Sequence, residues 1–125
     1  FLKVFEHVKQ NIIGQEFRTK NVLHAYTSAK PENIKIVKVA GDAMAPTIVN
    51  GDMIWIDQTH SVPTSDGIYL INTNSDVLLR RLQINPFDNS VEVSSDNKLY
   101  RSFTINDLKL LNICGKVIFI SHRLS

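Results

Sequence analysis

Between Pro31 and Ser121, short runs rich in Val, Ile and Leu are cut at close intervals by clusters of turn-forming residues. The clusters are Gly41-Asp42, Asn50-Gly51-Asp52, Ser65-Asp66-Gly67, Asn72 to Asp76, Asn85-Pro86 and Ser95-Asp96-Asn97. A chain patterned this way folds into short strands joined by tight turns, because each cluster ends one run before helical periodicity can build up. The pattern predicts strands over 34–40, 52–57, 67–72, 77–83, 90–94 and 113–121, with one helical turn over 105–111. The clearest hairpin joins 67–72 to 77–82, since both arms are apolar and the loop between them consists of turn-formers. Residues before Pro31 read differently. Phe1, Phe5, Val8 and Ile12 fall at helical spacing up to Gly14. A second helix is predicted over 15–29, carrying Phe17, Leu23 and Tyr26 and stopping ahead of Lys30-Pro31. The expected architecture is therefore mainly β: short antiparallel strands in a domain over residues 31–125, preceded by short helices forming an amino-terminal extension or linker over 1–30.

A chain of 125 residues is long enough for one domain whose core needs no disulfide or metal. Cys114 is the single cysteine, and His7, His24, His60 and His122 are scattered. Neither a disulfide framework nor a metal-ligand spacing results, so no metal and no cofactor are expected, and a reducing cytoplasm suits the chain. No apolar run approaches the roughly 18 residues of a membrane span, and no signal-peptide layout opens the chain. Fourteen Lys and Arg against twelve Asp and Glu leave a net charge of +2, too little for a nucleic-acid footprint. Any contact with DNA is expected to come from another segment. The first residue is Phe1 rather than Met, which leads to the expectation of a fragment or processed product.

The segment from Val39 to Asp57 has the most chemical content. It reads as a strand, a tight turn at Gly41-Asp42, a short helical turn limited by Pro46, and a second strand starting after Asn50-Gly51. Such a turn projects residue 43 from the end of a strand. By spacing alone it is equally well a plain connector. The run Gly41-Asp42-Ala43-Met44, with Pro46-Thr47-Ile48 and Gly51-Asp52, resembles the nucleophile box of the LexA, UmuD and phage-repressor family of self-cleaving Ser-Lys peptidases, relatives of signal peptidases. Asp66 to Ile71 followed by Leu78-Leu79-Arg80-Arg81-Leu82 is similar to the family's second box, where a lysine followed by Arg-Leu supplies the general base. Pro31 to Ile34, Val93 to Asn97 and the terminal Ile113 to Phe119 fit the phage repressors. The resemblance spans roughly residues 16–123. It implies a LexA or signal-peptidase-like fold, with Ala43 at the nucleophile position and Arg80 at the base position. Gly41, Asp42, Met44, Pro46, Gly51 and Asp52 support the motif.

Both substitutions remove chemistry. A Ser-Lys dyad needs a hydroxyl and a lysine driven by desolvation well below its usual pKa of about 10.4, so that a neutral amine accepts the serine proton. Ala43 has only a methyl group. Arg80 keeps its proton to about pH 12 or beyond. Strand alternation sets Arg80 with Leu78 and Leu82, and Arg81 with Val77 and Leu79. Read without the upstream box, the two arginines are a solvated pair on an edge strand. With that box, Arg80 is the occupant of a former base site, where a permanent cation needs a carboxylate or carbonyl partner. Thr47, Ser61, Ser65, Ser94 and Ser95 are read as turn-capping or solvent-facing hydroxyls. His24 and His60 fit no triad spacing, Trp55 reads as core or subunit-interface packing, and Cys114 as a small buried hydrophobe.

Two functional expectations follow from the resemblance. The first is the oligomerisation and regulatory domain of a phage or prophage transcriptional repressor with an inactive peptidase site. It is expected to dimerise through its carboxy-terminal strand, to reach operator DNA through an amino-terminal domain outside this chain, and to be switched by RecA or an antirepressor. The second is a self-cleaving peptidase in which Ala43 is an engineered serine replacement. Arg80 separates the two, because one knockout needs no second change. The terminal strand supplies a physical motive for pairing. By simple alternation Ile113, Val117 and Phe119 fall on one side and Cys114, Ile118 and Ile120 on the other, so both faces need cover.

Overall fold

A computed structural model describes residues 30–122 and Leu124. The two expected amino-terminal helices lie outside the described residues. Among those residues the strands are β1 (Ile34–Lys38), β2 (Met53–Asp57), β3 (Gly67–Asn72), β4 (Val77–Ile84), β5 (Val91–Ser94), β6 (Phe103–Ile105) and β7 (Asn112–Ser121). They form one sheet in the order β1-β2-β7-β3-β4-β5-β6, and every neighbouring pair is antiparallel. The mainly antiparallel β architecture matches the sequence pattern, and six strands fall where the turn clusters put them. β6 was not foreseen: three residues, largely exposed, pair with β5 at the sheet's end. The expected helical turn over 105–111 narrows to a 3-10 turn at Leu108–Leu110, where the Asp107 side chain accepts from the Lys109 N–H. Among the described residues no helix is long and apolar enough to cross a membrane.

Alternation along β3 splits the core in two. Ile68 and Leu70 pack with Val37, Val39, Met44, Ile48, Ile54 and Ile56 on one face. Tyr69 and Ile71 pack on the other, with Leu82, Val91, Val93 and Ile113. β7 joins the halves because it pairs with β2 along one edge and β3 along the other. Simple alternation fails along it. Ile56 faces Val117 but Trp55 faces Phe119, and Leu70 faces Gly115 but Ile71 faces Ile113. Ile118 and Cys114 are thus extra residues, and each bulge reverses the side on which later residues emerge. Val117 consequently packs with Cys114 and Ile120 against the first cluster, not beside Phe119.

Gly115 sits where β7 presses on β2. A Cβ there would come within 2.9 Å of the Asp57 carbonyl oxygen and 3.1 Å of the Ile56 Cβ. Because the nearest atom is backbone in a paired strand, little can yield. Gly115→Ala is expected to destabilise the domain by about 1–3 kcal/mol, the range for overpacking a well-filled interior. Urea denaturation of the two proteins checks this, with equal midpoints as the contrary result.

Candidate functional site

The link between β1 and β2 is fixed by its backbone. The Val39 N–H donates to the Asp52 carbonyl at 2.8 Å and the Gly51 N–H to the Val39 carbonyl at 2.9 Å. Gly41 at φ +102° and Gly51 at φ +94° occupy left-handed conformations that side-chain-bearing residues adopt only with strain. The Gly41 N–H also donates to the Asn50 side chain at 3.0 Å. Asp52, only 1% exposed, accepts from the Val49 N–H at 2.9 Å and lies 2.8 Å from Nδ1 of His122. Met44 and Ile48 reach down into the core and anchor the turn. The short helical turn limited by Pro46 consists of two backbone closures, the Ala45 N–H to the Asp42 carbonyl at 3.1 Å and the Ile48 N–H to the Met44 carbonyl at 3.0 Å, the second spanning a cis Ala45–Pro46 peptide.

This turn faces β4 across an open cleft of about 260 Å³. Residues 39–44 form one wall and residues 76–80 the other, with Tyr100 beside them. Ala43 and Arg80, 37 positions apart in the chain, line the same cleft together with Gly41, Asp42 and Met44. Pro46, Gly51 and Asp52 stand behind it and shape the turn. Arg80 donates from Nη1 to the Leu79 carbonyl at 2.8 Å, and its guanidinium carbon lies 5.6 Å from the centre of the Tyr100 ring. The Tyr100 hydroxyl donates to the Asp42 carboxylate, and that bond together with the carboxylate's charge raises the tyrosine pKa above its ordinary value. Arg81 is flanked by strands on both sides, Ile68 of β3 and Ser94 of β5, whereas Arg80 pairs with Tyr69 of β3 alone and ends a stretch of β4 whose outer edge is open among the described residues.

Arg81 emerges on the face of Val77 and Leu79 and forms a bidentate pair with Asp96, Nε to Oδ1 and Nη2 to Oδ2, both at 2.8 Å. Asp96 also accepts from the Thr47 hydroxyl. Next to it, the Asn97 N–H donates to the Ala43 carbonyl and the Asn97 side-chain amide to the Asp42 carbonyl, both at 3.1 Å. The segment after β5 therefore straps the 42–47 turn to β4. Sequence reasoning did not foresee these roles for Asp96, Asn97 and Tyr100. The usable signal was one acid in the turn that follows the strand paired with the arginines.

Among the described residues, the other candidate hydroxyls form no nucleophile and base pair within the cleft. Ser65 Oγ lies 2.6 Å from Lys116 Nζ, on the exposed surface and outside the cleft lining, while that ammonium stands 5.9 Å from the Tyr69 ring centre. His60 is exposed, and His24 lies outside the described residues. Cys114 is half-buried, donates to the Asn72 side chain at 3.1 Å, and has its pKa raised by burial. No group of three or more His, Cys, Asp or Glu in the described residues is placed to hold a metal ion.

Hydrogen bonding by Arg81 holds the Asp96 pKa below the usual carboxylate range, with help from Thr47. The folded-state pKa is thus depressed below the unfolded value of about 3.9, so the stabilisation is complete above about pH 5 and fades as pH falls through the folded pKa. Asp96→Asn is expected to cost about 1–2 kcal/mol at pH 7, a charge-assisted bond discounted for the 39% exposure of the Arg81 side chain. The gap between the two proteins should close in acid. Urea titrations at several pH values check this, and a pH-independent gap is the contrary result.

Comparison with known proteins shows the family. A model of the family described as Peptidase S24-like matches residues 6–118. The chain is 30% identical over 111 residues to a 26 kDa repressor protein of Escherichia phage HK022, covering 87% of this chain and 46% of that protein. It is 28% identical over 113 residues to an uncharacterized HTH-type transcriptional regulator of Haemophilus influenzae, covering 89% of this chain and 46% of the regulator. The chain spans about half the length of these curated relatives. With a family match over nearly its whole length and a β sheet that sets the 41–52 turn against β4, the chain belongs to the Peptidase S24-like family.

Proposed function

We propose that this chain is the oligomerisation and regulatory domain of a phage or prophage transcriptional repressor, and that it keeps the scaffold of a Ser-Lys peptidase without the peptidase chemistry. The observation that carries this reading is the meeting of Ala43 and Arg80 in one cleft. Ala43 stands at the nucleophile position and offers no atom to attack a carbonyl. Arg80 stands at the base position and cannot accept a proton near neutral pH. An engineered serine replacement accounts for Ala43 alone; an arginine across the same cleft speaks for natural loss. The likeness to a phage repressor and to an HTH-type regulator supports a role in transcription. On this reading operator DNA is bound by a domain outside these residues, in the cytoplasm. Because self-cleavage is gone, switching falls to a partner such as an antirepressor rather than to RecA-stimulated cleavage.

Pairing of subunits is part of the proposal. β7 pairs with β2 over residues 116–121 and with β3 over residues 112–116. A second copy therefore has two ways to reach it: through a face, or along the β3-side edge beyond Lys116, which has no strand neighbour among the described residues. Trp55 and Phe119 lie in register on β2 and β7, on the side opposite the first core cluster, next to Ile36 of β1, which is already buried within the chain. Trp55 and Phe119 are half-buried and pack edge to face at 5.0 Å between ring centres. A second copy covering this row would bury aromatic surface of the kind that anchors interfaces. Two dimer-linked readers also bind a two-fold operator far better than one.

The purified chain, and any longer protein carrying it, is expected to show no self-cleavage even near pH 10. Time-dependent specific fragments that persist with inhibitors of contaminating proteases would contradict the proposal. In sedimentation at micromolar concentration the chain is expected to run as a dimer, and Phe119→Asp to run as a monomer with its β circular dichroism intact. A monomer mass for the unaltered chain would refute pairing through this domain.

A further inference from the structure

We propose that the cleft between Ala43 and Arg80 recognises an extended peptide segment of a partner protein that presents a carboxylate to the Arg80 guanidinium. The inference rests on reading this cleft as a peptidase site stripped of its chemistry, and it names what the site takes instead. Arg80 is half-buried, yet its hydrogen bond inside the protein goes to a neutral carbonyl and its other contact is a ring face. No carboxylate among the described residues lies within ion-pair distance of it. A guanidinium carries five N–H donors, so most of its capacity is unspent. Its neighbour Arg81 shows the contrast, with both arms on Asp96. A carboxylate is the ligand whose two oxygens match that fork.

The remaining charges in the cleft restrict where such an acid can sit. Asp42 receives the Tyr100 hydroxyl, and Asp76 receives the Val77 N–H at 2.7 Å. Asp76, at the far end of the 76–80 wall, repels a second acid, while Asp42 is engaged by the hydroxyl of the same Tyr100 whose ring faces Arg80, so the free donors of Arg80 are the favourable position. The extended form of the ligand follows from β4. β5 pairs with β4 only from Arg81 onward, so the outer edge of residues 77–80 has no strand neighbour among the described residues. That edge runs along the cleft wall and offers main-chain donors and acceptors to an added strand. Arg80 now caps the Leu79 carbonyl on this stretch; turning to a ligand carboxylate would release it for pairing.

The test uses the ¹⁵N-labelled chain and two blocked tripeptides, N-acetyl-Val-Glu-Val-amide and its Gln counterpart, each titrated to about 10 mM, a range that detects millimolar binding. The Glu peptide is expected to shift the Arg80 Nε–H and the amides of Leu79 and Arg80, with at least about tenfold higher affinity than the Gln peptide. Arg80→Gln should erase this preference and Arg80→Lys retain part of it. If either variant fails to fold, added salt must shrink the preference in the unaltered chain. The proposal is overturned if the Glu peptide leaves those signals unmoved, if the two peptides bind alike, or if the preference survives Arg80→Gln or high salt. Cleavage of a peptide during the titration would instead overturn the loss of peptidase chemistry and leave recognition standing.

Discussion

β7 holds the two halves of this protein at a fixed separation. β2, which it pairs with on one edge, continues the turn that carries Ala43; β3, on the other edge, forms the hairpin whose second arm carries Arg80. The width of the cleft is therefore set by one strand spacing after another across the sheet, at about 4.8 Å each, and by the two bulges that re-aim β7. The close approach of Gly115 to Asp57 belongs to this constraint, because a larger residue would push the halves apart where they must meet.

On that frame, the cleft is kept in shape by contacts that do not take part in peptide chemistry. Arg81 and Asp96 bind β4 to the segment after β5, Thr47 ties the same carboxylate to the turn, and Asn97 holds the carbonyls of Asp42 and Ala43. A turn so closely held keeps its form whatever small side chain stands at position 43. On the proposed reading, the Ala43 methyl stands where a serine would carry a hydroxymethyl group, a difference of one oxygen atom. Arg80 brings a permanent positive charge, and the protein offsets it with a carbonyl and an aromatic face rather than an acid. The result is an open cleft of about 260 Å³ whose wall carries a permanent cation.

Much of this was legible from residue order. Gly41-Asp42, Asn50-Gly51 and Asn72 to Asp76 mark turns because their residues tolerate or prefer turn geometry, and the strands between them were legible for that reason. The juxtaposition of positions 43 and 80 was legible only through resemblance, since no local pattern reports a contact between strands on opposite sides of β7. β6 escaped because Phe103-Thr-Ile105 is too short to show a period. The bulges at Cys114 and Ile118 escaped because they interrupt the very alternation used to assign faces, which misplaced Val117 relative to Phe119. The role of Asp96 escaped because its partner, Arg81, is defined by strand pairing rather than by sequence distance.

The central claim is that nucleophile and base have both been lost from an otherwise intact site, and installing them separately tests it most directly. Intact-mass measurement of labelling by a fluorophosphonate follows one reaction: a hydroxyl oxygen bonds to phosphorus, fluoride leaves, and a neighbouring base takes the proton. The account predicts that Ala43→Ser labels no faster than the unaltered chain, because Arg80 cannot take that proton. Ala43→Ser combined with Arg80→Lys is predicted to label measurably faster, with a rate that rises as the amine loses its proton. Equal labelling of the single and double variants would contradict the account, by showing that residue 80 is not the base position.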